Sequence, residues 1–252
     1  MSNLITQRYG SLDCHVIDHE PATKAANSPQ VLFVLCHGFG APGSDLVDVG
    51  RALGQFAASQ GIAMRVLCPE APISLDDMGL PGGRAWWRLN MAALMETIQA
   101  EQFEELHQSE PPGLDEARQM LGEVIQLALQ ELNDDTVFVL GGFSQGAMLT
   151  MDTALRGDCP APQLLLQYSG TVICESHWRA NMQRLGQSVV YQSHGRWDPI
   201  LPFVSAQRLH ELMEAAGVQA SFHAFEGQHS IDQQCLVDSA QALLQLLGDQ
   251  SK

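Results

Sequence analysis

Thr136-Val137-Phe138-Val139-Leu140-Gly141-Gly142-Phe143-Ser144-Gln145-Gly146-Ala147 passes from an apolar block, through a glycine-flanked serine, into residues that suit a helix. Val137 to Leu140 reads as a strand buried on both faces, and Ala147 to Leu155 carries helix-compatible apolar residues. A sharp strand-to-helix turn brings backbone segments close together, and glycine alone lacks the Cβ that would clash there. A serine at such a turn is pushed outward with its Oγ exposed, the setting in which G-x-S-x-G carries chemistry.

Outward from this stretch, strand-like runs at Val31 to Cys36, Ala63 to Cys68, Gln163 to Tyr168, Ser188 to Gln192 and Ala220 to Phe225 join Thr136 to Leu140. Helical patterns at Leu46 to Gln60, Gln145 to Arg156, Phe203 to Ala216 and Asp232 to Leu247 alternate with them. Such alternation predicts an α/β fold with a mostly parallel central sheet and helices on both faces. Gln7 to Asp18 suits an edge strand or hairpin. No linker composition divides the chain, so a single domain over 1–252 is expected. An excursion at about 80–113 interrupts the alternation: it opens on Pro81-Gly82-Gly83, passes Trp86 and Trp87, and closes on Pro111-Pro112-Gly113. A further amphipathic helix is expected from Leu114 to Leu132.

The 252 residues are 45% hydrophobic, enough for a sizeable core, and carry a net charge of −16. That charge repels phosphate backbones and makes nucleic acid a poor partner. No apolar stretch approaches the length that spans a bilayer, and Met1 to Gly10 lacks the basic start and hydrophobic block of a secretory signal, so a cytoplasmic protein is expected. The six cysteines read as reduced thiols, since a chain of this size needs no staples. Cys14, His15 and His19 lack a second ligand pair at a recognised spacing, and no metal is expected.

A serine hydroxyl needs a base to take its proton and a third group to orient that base. Asp198, just past the run Ser188 to Gln192, and His229, just past Ala220 to Phe225, stand at the same edge of the expected sheet as Ser144. Amide donors for a developing oxyanion are available at Gln145, directly after the serine, and at Phe39 in His37-Gly38-Phe39-Gly40. Each residue alone has an ordinary reading as turn former or cap. Together they supply nucleophile, acid, base and donors from four loops in the chain order serine, acid, histidine.

With these residues in view the chain resembles the phospholipase/carboxylesterase family of α/β hydrolases, which includes acyl-protein thioesterases and small bacterial carboxylesterases. The matching blocks are Leu35-Cys36-His37-Gly38-Phe39-Gly40, Pro69-Glu70-Ala71-Pro72, Gly141 to Ala147, Ser169-Gly170, His194-Gly195 to Asp198-Pro199, and Gly227-Gln228-His229. The resemblance implies an α/β-hydrolase fold and a serine hydrolase with Ser144, Asp198 and His229 as its triad. It would cleave a small-molecule or lipid-like carboxylic ester or thioester without a cofactor. A lactone or C–C hydrolase of the same fold, or a non-catalytic binding protein on it, remain as alternatives.

The chain departs from the family where a tryptophan, an aromatic residue and an aspartate are common, since Ala85-Trp86-Trp87-Arg88 ends in arginine and Leu89 to Ser109 is long. Trp86, Trp87, Met91 and Met95 are expected as substrate-binding residues of a lid or wall around an acyl chain; simple packing is the alternative.

Overall fold

The computed structural model describes residues 3–23 and 30–249. Its sheet has eight strands: β1 (Leu4–Tyr9), β2 (Leu12–His19), β3 (Gln30–Cys36), β4 (Ala63–Pro69), β7 (Val137–Phe143), β8 (Leu164–Tyr168), β9 (Val189–Gly195) and β10 (Gln219–Phe225). A two-stranded ribbon of β5 (Ile73–Ser74) and β6 (Arg84–Ala85) stands apart. The strand order is β1-β2-β4-β3-β7-β8-β9-β10. β1 with β2 and β2 with β4 are antiparallel; every other pairing in this sheet is parallel. The expected hairpin near the N-terminus is therefore present, and Gly10 turns it at a φ of 56° that an L side chain rarely adopts.

Neighbouring residues of the central strands face opposite layers, as the period of two requires. Leu32, Val34, Phe138, Leu140 and Leu165 pack on one side with residues of α4 (Leu114–Gln130), α5 (Gln145–Arg156) and α7 (Phe203–Ala215). Val31, Phe33, Val137, Val139 and Leu166 pack on the other with α1 (Val47–Ser59) and α8 (Gln233–Asp249). The mostly parallel sheet with helices on both faces thus matches the expectation. Parallel strands buried on both sides need apolar residues at nearly every position, which is why these runs do not alternate with polar ones.

Most boundaries shift by a residue or two, and two strands run three residues past the ends read from the sequence. β7 runs on to Phe143 because Gly141 and Gly142 pair with Leu35 and Cys36 of β3 and with Leu166 and Gln167 of β8. β9 continues to Gly195, held by its register with β10. Both extensions carry strand geometry to the rim where the loops depart. The excursion holds two helices, α2 (Met91–Gln99) and α3 (Phe103–Gln108), and α6 (Glu175–Asn181) follows β8.

Candidate active site

Ser144 joins β7 to α5 with φ 55° and ψ −119°. Positive φ at a non-glycine residue is a strained backbone, costing about 1–3 kcal/mol, and persists only where the surroundings over-determine it. Here the Ser144 N–H donates to Tyr168 O at 2.9 Å, and the Ser144 carbonyl accepts from Met148 N at 3.1 Å. The flanking glycines are needed: a Cβ on Gly142 would sit 2.4 Å from the Gly146 backbone, and one on Gly146 only 2.1 Å from Cys36 O. No hydrogen bond caps α5 from the serine side chain.

His229 sits in the loop after β10. Its Nδ1 lies 2.6 Å from Asp198 Oδ2, and its ring packs on Phe143 with centroids 4.7 Å apart. Asp198 Oδ1 accepts from the N–H groups of Ile200 at 2.8 Å and Leu201 at 2.9 Å. Burial opposes ionisation of this carboxyl. Hydrogen bonds from His194 and His229 outweigh burial and hold Asp198 well below the usual carboxylate range. An acceptor-only carboxylate on Nδ1 leaves Nε2 as the free basic nitrogen of a neutral His229. The His229 loop is tied down by Trp197 N donating to Gly227 O at 3.0 Å and by Ser169 Oγ donating to Ser230 O at 3.0 Å.

Ser144 and His229 line one cavity of about 200 Å³, together with Gly38, Phe39 and Gln145. Gln145 opens α5, where first-turn N–H groups lack intrahelical partners. The Phe39 loop is shaped by His37, whose Nδ1 donates to Gly38 O at 2.8 Å while Nε2 accepts from Ala71 N at 3.1 Å. Burial pushes the His37 pKa down to about 4, so this ring stays neutral and serves as a strut.

The remaining wall is mostly apolar: Trp87, Met91, Leu94, Leu106, Met148 and Ile173 contribute to it. Of the residues expected to bind substrate, Trp87 and Met91 line the cavity and Trp86 and Met95 do not. Trp86 belongs to the buried core, and its indole N–H donates to His37 O at 2.9 Å, supporting the Phe39 loop from behind. On α2 the wall position next to Met91 falls to Leu94, one residue before Met95, because the helix presents its i+3 side to the cavity.

Several contributors were not singled out from the sequence. The Gln145 side chain accepts from Trp86 N at 2.9 Å through Oε1 and donates to Trp87 O at 2.9 Å through Nε2, joining the serine turn to the excursion. Leu106, Ser109 and Pro111 bring α3 and the turn after it to the wall. Apolar periodicity was the available signal for Leu106; nothing in the sequence marked the Gln145 link.

Metal-ligand types meet elsewhere. Among the described residues His223, Asp232 and Cys235 bring donor atoms within 4.8 Å of one another. Asp232 Oδ1 already accepts from Cys235 N at 2.7 Å, Asp232 Oδ2 lies 3.5 Å from His223 Nε2, and burial pushes the Cys235 thiol up to about 11. This cluster caps α8 and fastens the far end of the His229 loop to β10. His15 pairs with Glu70 at 3.1 Å, on the opposite side of β2 from buried Cys14.

Among solved structures, the esterase PE8 superposes with a TM-score of 0.65 at 24% identity, over 91% of this chain and 99% of that one. Acyl-protein thioesterase 2 of Zea mays gives 0.61 at 19% identity over 93% and 98%. The Bacillus cereus carboxylesterase gives 0.64 at 17% over 92% and 94%. At these identities the likeness is one of fold. A family model described as Phospholipase/Carboxylesterase matches residues 18–247, nearly the whole chain, and the protein therefore belongs to the phospholipase/carboxylesterase family.

Proposed function

We propose that the protein is a serine hydrolase that cleaves carboxylic esters or thioesters through an acyl-enzyme, with Ser144 as nucleophile, His229 as base and Asp198 as its orienting acid. One observation carries this reading: a strained Ser144 shares a cavity with a histidine whose other nitrogen is held 2.6 Å from a buried carboxylate.

In the first step His229 Nε2 takes the Ser144 proton as Oγ attacks the acyl carbonyl, and Asp198 stabilises the resulting imidazolium. Charge collects on the carbonyl oxygen, where the N–H groups of Phe39 and Gln145 would receive it. His229 then protonates the leaving alcohol or thiol. Water then attacks the acyl carbon while giving a proton to His229, and His229 returns that proton to Ser144 Oγ as the acid leaves. The acyl group lies against Trp87, Met91, Leu94 and Leu106, an apolar wall suited to a hydrocarbon chain. Among the described residues no helix is long and apolar enough to cross a membrane.

A fluorophosphonate probe tests the reading. Folded wild-type protein labels at Ser144, identified by peptide mass spectrometry, and Ser144→Ala does not label. Folded wild type that resists the probe would remove the proposal.

A further inference from the structure

One buried side chain touches the orienting acid and has no part in the chemistry above. His194, in β9, is wholly buried. Its Nε2 lies 2.9 Å from Leu201 O and 3.3 Å from Asp198 Oδ2. A carbonyl and an ionised carboxylate only accept, so Nε2 carries the proton, with Leu201 O as the nearer acceptor and Asp198 Oδ2 as the farther one. His194 Nδ1 is buried without a hydrogen-bond partner among the described residues. A second proton on that atom would be an unpaired buried donor, so the ring donates from its Nε2 side alone, the side that faces Leu201 O and Asp198 Oδ2.

We infer that His194 is a positioning residue for the proposed hydrolysis, its Nε2–H fixing Asp198 and drawing charge from the carboxylate oxygen that His229 uses. The inference rests on the reading of Ser144, Asp198 and His229 given above. Asp198 Oδ1 is filled by Ile200 N and Leu201 N, and Oδ2 is divided between His229 Nδ1 and His194 Nε2. Rotating the carboxylate breaks donors at both oxygens. Without His194, the charge on Oδ2 falls wholly to His229, which stabilises its protonated form and takes the base out of action at a higher pH. Of the other ionisable groups near these loops, Arg196 pairs with Glu226 at 3.2 Å, and His223 lies 3.5 Å from Asp232. The shift is therefore assigned to the His194 hydrogen bond.

Two amide replacements separate position from bulk. Glutamine places its amide nitrogen about where Nε2 stands, and asparagine about where Nδ1 stands. kcat/KM for one aryl ester is measured against pH for wild type, His194→Gln and His194→Asn. His194→Asn loses activity at neutral pH by about 10-fold, and its acid limb moves up by about half to one pH unit. His194→Gln keeps the wild-type limb. A limb that is unmoved in His194→Asn, or that moves equally in both variants, overturns the inference. Failure of the parent reading looks different, because the wild type then neither labels with the phosphonate nor turns over the ester.

Discussion

The cavity has two sides built on different principles. The rim of Gly38, Phe39, Ser144, Gln145 and His229 grows from the ends of β3, β7 and β10, and strong local hydrogen bonds fix each loop. The opposite wall comes largely from α2 and α3, and it is unevenly held. α3 is anchored: His107 Nε2 meets Ser205 Oγ at 2.9 Å, Cys174 N donates to Ser109 O at 3.0 Å, and Ser176 Oγ donates to Gln108 Oε1 at 2.7 Å. α2 has no fully buried residue, and its side-chain hydrogen bonds, from Ala93 N to Asn90 Oδ1 and from Thr97 Oγ1 to Ala93 O, stay within its own turns. Under the proposed function, chemistry that tolerates little displacement would sit on the sheet rim, and contact with a variable apolar group would fall to a lightly held helix.

The comparison breaks at once if the rim does not carry the chemistry. Ser144→Ala should reduce kcat by at least about 10⁴-fold, equally for acetyl and long-chain esters, because the loss lies in bond making and not in acyl contact. A loss that depended strongly on acyl length would mean that the two sides are not separable. Progress curves on a series of aryl esters measure this.

The next largest effect falls on the link between the sides. Gln145→Leu keeps the backbone N–H of residue 145 but removes both side-chain bonds to the excursion, leaving Trp86 N and Trp87 O buried and unpaired. Two such groups should cost about 2–4 kcal/mol, lowering Tm by roughly 5–10 °C in a chain of this size. Thermal melts read the cost, and a Tm within a degree or two of wild type would show that the excursion is held some other way.

Legibility in the sequence follows the same division. The proposed reaction demands particular residue types in particular loops, so Ser144, Asp198 and His229 stood out as candidates before any coordinates. The strands were legible because parallel pairing buries both faces and calls for unbroken apolar runs. The excursion asks only for apolar residues somewhere on a helix, and a rotation of one position is enough to exchange Leu94 for Met95. Trp86 has an indole N–H that needs a partner, and only the fold shows that the partner is His37 O and not a substrate. The Gln145 bridge reaches a partner 58 positions away, beyond what residue type alone can indicate.

A smaller effect concerns the strut beneath the rim. His37 is buried with its pKa pushed down to about 4, below the ordinary histidine value, so the unfolded chain binds a proton between those two pH values and the folded one does not. Stability is then full above the unfolded value and falls as pH drops toward 4, by up to about 3 kcal/mol from this group. Glutamine in place of His37 cannot titrate. Urea unfolding at pH 7 and pH 4.5 should show a shallower acid loss for His37→Gln than for wild type, and equal losses would assign the acid sensitivity elsewhere.

The smallest expected effect discriminates between the two helices of the wall. Met91→Ala removes a half-buried side chain from α2, and Leu106→Ala removes one from α3; both line the cavity. Lost contact with an acyl chain is worth about 1 kcal/mol in either case, roughly 5-fold in kcat/KM for an octanoyl ester with little change for an acetyl ester. The two should part company in stability. α3 packs against Ser205, Cys174 and Ser176 through the bonds named above, so truncating Leu106 opens a space beside a fixed element and lowers Tm, whereas α2 is at most half-buried and can follow the loss. Equal falls in Tm would mean that α2 is held as firmly as α3. If Met91→Ala instead lowered acetyl and octanoyl turnover alike, α2 would be acting on the serine side of the cavity and the division between rim and wall would have to be redrawn.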